Sequence, residues 1–372
     1  MSSLLDRARS VGPVVRAHAD EAEEHRRLPA PVVRALVDAG LMRMCVPAAY
    51  GGPDVTPMEL VEAIAAVAEA DGAAGWCVMI ASTTSSMSCF LEPAWAKELY
   101  ADPNVITGGA FAPTGKGTRV EGGYRVTGRW MWGSGTQHCH WITGGSTMDD
   151  GTFHLAFAPR ADVEILDTWF TSGLRGTGSN DFAMHDVFVP DGRSVQPFAA
   201  RPQVDATIAR FPNFTLLAAG VAATLLGMAR RAIDELVALA QGKVPMFSSK
   251  TLAQSPHAQV DLARAEAMLG AARAFLLDEL AQAWERALAG DRVPEASRAR
   301  IRLAATHAAR ASADAVDLAY DAGGGSSVFT ANALQRCFRD VHTGTQHLQV
   351  STRIYETVGR LLFGLETDTS TL

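Results

Sequence analysis

The 372-residue chain is long enough to bury a large core and to form two or three domains. Its 33 Lys and Arg residues against 40 Asp and Glu give a formal net charge of −7, which argues against nucleic acid or anionic lipid as a partner. The five cysteines are scattered with no Cys-x-x-Cys pair, a pattern typical of reduced thiols. Residues 1–27 lack the apolar segment of a signal peptide, and no uninterrupted apolar run is long enough to span a membrane. We therefore expect a cytoplasmic protein.

Hydrophobic periodicity divides the chain into three zones. Residues 1–103 show helical spacing, with a capping-box pattern at Thr56 and Glu59. Residues 104–200 contain short alternating runs separated by glycine and proline, which is typical of β-strands. Residues 201–372 return to long helical segments rich in alanine and leucine, which favour a four-helix bundle. The pattern predicts an α+β protein with an N-terminal helical domain, a central β-domain and a C-terminal bundle.

The most informative stretch is residues 122–135. Bulky side chains alternate along it and are predicted to share one face of a strand: Tyr124, Val126, Trp130 and Trp132. The strand runs into Gly133, Ser134 and Gly135, where bare backbone can approach a flat ligand closely. One interpretation is a surface and a hydroxyl for a planar ring with polar edges. The other is a tryptophan-rich strand that ends in an ordinary glycine turn.

Two further polar segments have a functional and a structural interpretation. The glycine- and hydroxyl-rich residues 169–181 are either turn chemistry or the lining of a ligand pocket. Residues 339–347 end in His347, which is either a packed helix residue or a catalyst. The glycines within residues 173–178 are in the wrong order for a dinucleotide loop. Residues 138–140, His-Cys-His, lack a nearby third ligand, so no metal site is predicted.

These segments, in this order, resemble the acyl-CoA dehydrogenase superfamily. Residues 47–52 resemble its Pro-x-x-x-Gly-Gly turn, residues 128–134 its Gly-x-x-x-Trp-x-Thr segment, and residues 186–190 the strand that closes its β-domain. The resemblance implies an N-terminal helical domain, a central β-barrel and a C-terminal four-helix bundle. It also implies a homotetramer that binds flavin between the β-domain and the bundle, and the wide apolar stripes of residues 213–241 and 257–290 point to the same assembly.

One departure from the dehydrogenase pattern bears on function. Dehydrogenases of this superfamily use a carboxylate base near the C-terminus, whereas residues 341–347 contain none. Residues 128–135, 173–179 and 339–347 instead resemble the group D two-component flavin monooxygenases, such as antibiotic-pathway hydroxylases. This resemblance implies an oxygenase that takes FMNH2 or FADH2 from a separate reductase. It would use O2, through a C4a-hydroperoxyflavin, to oxygenate a small organic substrate, which we expect to be aromatic.

The resemblance also assigns roles to individual residues. Ser134 would contact flavin N5, and His347 would lie beside the peroxide as the second catalytic residue. Further flavin contacts are expected at Trp132, Gly133, Gly135, Thr177, Ser179, Lys243, Thr343, Gly344 and Thr345. Lys243 stands near the position of an arginine that binds the FAD pyrophosphate in the dehydrogenases. The small residues at 81–90 either border the substrate pocket or allow close helix packing.

The sequence leaves two alternatives to a monooxygenase. A dehydrogenase could place its base on a bundle helix, with Glu266 or Asp261 as the candidates. A catalytically silent flavin-binding paralogue would keep the fold and the tetramer without either activity.

Overall fold

A computed structural model describes residues 3–370 and 372 of the chain. Six helices precede the β-region: α1 (Leu4–Ala17), α2 (Ala19–His25), α3 (Ala30–Asp38), α4 (Pro57–Ala70), α5 (Gly72–Ser85) and α6 (Pro93–Tyr100). Five helices follow it: α7 (Asn213–Gly242), α8 (Pro256–Leu288), α9 (Glu295–Gly323), α10 (Ala333–Gly344) and α11 (Arg353–Leu362). Thr56 and Glu59 form the predicted capping box at the start of α4, with Glu59 N donating to Thr56 Oγ1 at 3.2 Å.

The β-region is one mixed seven-stranded sheet. Its strands are β1 (Thr107–Val120), β2 (Gly123–Gly133), β3 (Trp141–Met148), β4 (Phe153–Pro159), β5 (Glu164–Leu166), β6 (Asn180–Pro190) and β7 (Ser194–Val195). They lie in the order β5-β6-β2-β1-β3-β4-β7, with only the β1–β3 pair parallel. Within the described residues β5 and β7 do not pair, so the sheet is open and the expected closed barrel is not confirmed.

Strand β2 forms where the alternating pattern predicts it, but the pattern fails at its end. Tyr124, Val126 and Trp130 are buried, whereas the Trp132 side chain is 66% exposed. The pairing of β2 with β6 shifts register between Trp130 and Gly133, and Trp132 has a left-handed φ of 62°. This bulge turns Trp132 away from the face that the other three residues share, so the prediction of a common face is wrong for Trp132.

The C-terminal region is helical, as its periodicity predicts. Helix α9 packs on α7 and α8, and α10 packs on α7 and α9. Helix α7 is long and apolar enough to cross a membrane by length and composition, but 83% of its most apolar window is buried inside the protein. The wide apolar stripe of α7 is therefore covered within one chain, by α4, α5, α9 and α10. It gives no reason by itself to expect an oligomer.

Helices α5 and α7 run antiparallel at close range beneath the sheet. A Cβ atom at Gly72 would lie 2.6 Å from Met228 Cε, and one at Gly220 would lie 2.7 Å from Met79 Cγ. Residue 72 faces residue 228 and residue 79 faces residue 220, so the two helices run in opposite directions. At each contact one of the two residues is glycine, because a side chain there would clash with the methionine opposite. This packing fixes α5, the helix that carries Trp76, against the C-terminal helices.

Candidate functional site

Trp76 on α5 joins the β-region to the C-terminal helices. Its Nε1–H donates to Ser134 Oγ, at 3.1 Å, just beyond the end of β2. The indole also meets the His347 ring edge to face, with 5.5 Å between ring centroids and 72° between planes. A Cβ atom at Gly344 would lie 3.3 Å from Trp76 Cζ3. Three segments far apart in sequence therefore meet around one buried indole.

Ser134 also belongs to a chain of hydroxyl groups. Its Oγ lies 2.7 Å from Ser179 Oγ, and Ser179 Oγ lies 2.6 Å from Thr177 Oγ1. Thr177 Oγ1 donates to the carbonyl oxygen of Leu174 at 2.8 Å. All three hydroxyl residues are buried, and the chain is anchored where Gly135 N donates to Thr177 O at 2.9 Å. The two hydroxyl-rich segments predicted from the sequence thus form one site.

The glycines beside Ser134 are required by the fold. A Cβ atom at Gly133 would lie 2.7 Å from Phe182 Cδ1 and 2.9 Å from Asn180 O, so strand packing excludes a side chain there. Gly135 has a φ of 69°, the left-handed conformation that glycine adopts without strain. Together they set the turn that presents Ser134.

His347 is held as a neutral ring with a defined tautomer. Its Nδ1 accepts the backbone N–H of Gln349 at 3.2 Å, so the ring hydrogen lies on Nε2. Burial lowers the pKa of His347 to about 4, and the nearby Arg302 guanidinium acts in the same direction. At neutral pH the ring can therefore donate one hydrogen bond, from Nε2–H. Within residues 3–370 and 372 no hydrogen-bond acceptor contacts that atom.

Asp340 ties α10 to the loop that carries the hydroxyl chain. Its Oδ1 accepts the backbone N–H of Leu174 at 2.6 Å, and the neighbouring Arg339 donates to Ser172 O. A Cβ atom at Gly173 would lie 2.1 Å from Arg339 O, so loop and helix are in close contact. Burial, with the nearby Asp71 carboxylate, raises the pKa of Asp340 to about 7.

This raised pKa makes stability depend on pH. Between the ordinary value of 3.8 and about 7 the folded protein keeps the Asp340 proton that the unfolded chain releases. The free energy of unfolding should therefore fall as pH rises through this window, by up to about 4 kcal/mol. Asp340→Asn keeps an oxygen for the Leu174 N–H but cannot ionise, so it should flatten this pH dependence. Urea unfolding at pH 4.5, 6 and 7.5 measures the slope, and equal slopes in both proteins would contradict the assignment.

Several residues expected to contact flavin lie apart from this cluster or have their polar atoms occupied. Lys243 follows α7, and its Nζ donates to the carbonyl of Gly323 at the end of α9. Thr343 Oγ1 donates to Arg339 O and Thr345 Oγ1 to His342 O, both at 2.8 Å, so these hydroxyls bond to their own helix. The cluster instead contains Ser134, Gly135, Thr177, Ser179, Gly344 and His347.

Residues 81–90 fit the close-packing interpretation. Their hydroxyls donate one turn back along the helix, as from Thr83 to Met79 O at 2.8 Å and from Ser85 to Ser82 O at 2.7 Å. Residues 138–140 also have structural roles, since His140 Nδ1 accepts the backbone N–H of Ile106 at 3.1 Å. Among the described residues, no group of three His, Cys, Asp or Glu side chains could hold a metal ion.

Sequence reasoning missed Trp76 and the role of Asp340. Trp76 lies in an apolar helix where a tryptophan is most simply a core residue, and only the fold brings Ser134 and His347 into contact with it. Asp340 lies within residues 339–347, a segment that the sequence singles out, but its partner Leu174 is 166 residues away. The signal in the sequence that could have indicated both residues is a side chain with a hydrogen-bonding group inside a helix that is otherwise buried.

Comparisons with known proteins show which family the chain resembles in sequence and in fold. The family model of the acyl-CoA dehydrogenase N-terminal domain matches residues 6–92, and that of its C-terminal domain matches residues 219–352. The chain is 32% identical to indole-3-acetate monooxygenase of Pseudomonas putida over 97% of this chain and 92% of that protein. It is also 32% identical to the oxygenase subunit HsaA of a flavin-dependent monooxygenase from Rhodococcus jostii, over 98% and 100% of the two chains. The solved structure of XiaF from Streptomyces, in complex with FADH2 and glycerol, has a TM-score of 0.91 and 26% identity over 98% of this chain and 95% of that one.

Proposed function

The chain belongs to the family of flavin-dependent monooxygenase oxygenase subunits with the acyl-CoA dehydrogenase fold, and from this premise we propose that it oxygenates a small aromatic substrate with reduced flavin and O2. The observation that carries the proposal is that Ser134 and His347, which are far apart in sequence, both contact the buried Trp76 side chain. The name of the Pseudomonas relative, an indole-3-acetate monooxygenase, supports an aromatic substrate.

The polar atoms around Trp76 fit a flavin ring. Ser134 Oγ accepts from Trp76, contacts Ser179 Oγ and can form one further hydrogen bond, while His347 offers a single Nε2–H. Ser134 would hold the ring near N5, and Gly135 and the hydroxyls of Thr177 and Ser179 would support it. A bound reduced flavin supplies the two electrons that let one oxygen atom of O2 enter the substrate while the other leaves as water.

The chain's own residues would orient the reactants and keep water out. Ser134 is 5% exposed and Trp76 is 6% exposed, so the hydrogen bond between them is shielded from solvent. Because His347 is neutral with its hydrogen on Nε2, it would donate a hydrogen bond to an oxygen atom at the reacting centre. The Gln349 N–H fixes the ring in this orientation.

The positions of the two candidate bases support a dehydrogenase mechanism less well than the site around Trp76 supports a monooxygenase. Glu266 is exposed on α8 and forms an ion pair with Arg230 at 2.9 Å. Asp261, on the same helix, lies 3.4 Å from His257 and 3.6 Å from Arg264. Neither carboxylate contacts Trp76, Ser134 or His347, so neither is placed to take a proton from a substrate held there.

The partner would be a reductase that delivers reduced flavin. The relative from Rhodococcus is named as an oxygenase subunit, which supports a separate second component. The five cysteines are all buried free thiols, which supports a reducing, cytoplasmic location.

We also propose a homotetramer, with support from apolar residues outside the α7 stripe. Large apolar side chains are exposed on the single chain after α7 and after α11: Met246, Phe247, Leu362, Phe363 and Leu365. Such groups are usually covered by another protein surface. Light scattering at micromolar concentration should give about four times the mass of one chain, and a monomer would contradict the proposal.

The test of function is rapid mixing of the protein and chemically reduced flavin with oxygenated buffer. A monooxygenase should delay the appearance of oxidised flavin and form an oxygenated product when an aromatic acid is present. A dehydrogenase would instead bleach bound oxidised flavin when given an acyl-CoA, with no reductase or reduced flavin. A silent paralogue would do neither.

A further inference from the structure

Two arginines of α9 hold the turn formed by residues 345–349. Arg310 donates from Nη2 to the carbonyl oxygen of Thr345 at 2.7 Å, and Arg302 donates from Nη2 to the carbonyl oxygen of Gln349 at 3.2 Å. Carbonyl groups just beyond a helix end lack partners within the helix, and arginine side chains can supply the missing hydrogen bonds. The turn is therefore fixed to α9 at both of its ends.

His347 is the central residue of this turn, and the amide groups of the turn are bonded to a different helix, α10. His347 N donates to Gly344 O at 3.1 Å, and Gln346 N donates to Thr343 O at 3.2 Å. With its N–H groups bonded to α10 and its carbonyl groups bonded to α9, the turn has little freedom to move. His347 therefore meets Trp76 from a fixed position.

Arg302 differs from most arginines in that its charged group is buried. The residue is 2% exposed, and burial lowers the pKa of its guanidinium to about 10, so Arg302 is still a cation at neutral pH. Burying a cation is costly, and an apolar side chain of similar volume would fill the same position without that cost. The presence of a charge at this position indicates a role other than packing.

The charge of Arg302 acts on the His347 ring. Burial lowers the pKa of His347 to about 4, and Arg302 acts in the same direction because it opposes a second positive charge. Trp76 of α5, which packs against the ring, carries no charge, and no carboxylate of residues 3–370 or 372 forms an ion pair with the ring. The other titratable groups near the turn lie on α9, α10 and α11: Arg310, Asp314, Asp317, His342 and Tyr355.

We propose that Arg302 and Arg310 are positioning residues: they clamp the turn so that the His347 ring keeps its place and its neutral form, with the hydrogen on Nε2. This inference rests on the proposed function, in which that hydrogen is donated at the reacting centre. The neutral ring accepts the Gln349 N–H at Nδ1. A protonated ring would carry a hydrogen on Nδ1 as well, would lose this hydrogen bond and would be repelled by Arg302.

The first test needs no flavin. The titration of His347 is followed by NMR in protein labelled with ¹³C-histidine, and its signal is identified by its absence from His347→Gln. Arg302→Met removes the charge and the donor, so the pH at which His347 is half protonated should rise from about 4 to about 5. Arg302→Lys keeps the charge and should leave this midpoint near 4. If the methionine variant does not fold, Arg302→Gln, which keeps a donor without the charge, takes its place.

The second test measures product and hydrogen peroxide per flavin oxidised at pH 5 and pH 8. In Arg302→Met about half of the His347 rings should be protonated at pH 5, so the product yield should fall about twofold between pH 8 and pH 5, whereas the unaltered protein should lose about a tenth. Arg302→Lys should behave as the unaltered protein does. Arg310→Met breaks the other end of the clamp without changing the titration of the ring, so it should lower the yield equally at both pH values.

The matched control is Arg298→Met. Arg298 also lies on α9 and donates to a main-chain oxygen, that of Leu372 at 3.3 Å, which is outside the turn. This variant should change neither the titration of His347 nor the product yield. A midpoint that Arg302→Met leaves unchanged, with a product yield that does not depend on pH, would overturn the inference. If neither the unaltered protein nor any variant forms product, the proposed function is contradicted, and the NMR titration still decides whether Arg302 acts on His347.

Discussion

Replacing His347 with alanine should lower product formation by about 10²–10⁴-fold, because positioned acid–base and hydrogen-bonding groups contribute rate factors of this size. The Nε2–H of His347 has no acceptor among the described residues, and the ring contacts Trp76, the residue that donates to Ser134. In the variant, reduced flavin should still bind and react with oxygen, but its electrons should be lost as hydrogen peroxide. Product and peroxide yields per flavin oxidised measure the change.

The control is His342→Ala on α10, the helix that ends just before His347. His342 is partly exposed, and its Nε2 pairs with Asp317 at 2.8 Å, so its loss should leave the ratio of product to peroxide unchanged. If His347 had only a packing role, His347→Ala would lower the melting temperature and leave the ratio of product to hydrogen peroxide unchanged. Because the pKa of His347 is about 4, its protonation should not limit activity above about pH 5.

The largest loss of stability is expected from Trp76→Ala. This side chain is 6% exposed and links Ser134 to His347, so its removal should lower the free energy of unfolding by about 3–5 kcal/mol. Affinity for reduced flavin should fall with it, because Ser134 and His347 lose their common support. Trp76→Phe keeps an aromatic ring but removes the Nε1–H and part of the buried indole, so it should cost less than the alanine variant, about 1–3 kcal/mol.

A matched control is Trp284→Phe on α8. Trp284 is 7% exposed and contacts Phe211, with 6.4 Å between ring centroids, away from the site. Trp284→Phe should lower the free energy of unfolding by about as much as Trp76→Phe does, without any change in flavin affinity. Denaturant unfolding and flavin titration of the two variants distinguish the roles, and equal flavin affinities would show that Trp76 is only a core residue.

The sequence predicts most of the fold because its signals are local. The capping box at Thr56, the long apolar periodicity of α7 and the alternation along β2 each reflect contacts between near neighbours, and each is found in the structure. Trp132 is the instructive exception. Alternation assumes a regular strand, whereas the bulge at Trp132 depends on how β2 pairs with β6.

The site was predicted less completely because its contacts are long-range. Ser134 and His347 could be named from their segments, but 58 residues separate Ser134 from its hydrogen-bond donor Trp76. The Ser134 hydroxyl also contacts Ser179, 45 residues further along the chain, which no local pattern encodes. Lys243, expected near flavin from its position in the family pattern, caps the end of α9 in the single chain.

We expect this chain to insert one atom of O2 into an aromatic substrate when it is given reduced flavin. The most direct measurement uses ¹⁸O₂, photochemically reduced flavin and no reductase, with mass spectrometry of the products formed from a panel of aromatic acids and indoles. The expected result is one ¹⁸O atom in the product, with a much lower yield of that labelled product in His347→Ala. Rapid flavin oxidation that yields only hydrogen peroxide with every substrate, or product oxygen that comes from water, would contradict it.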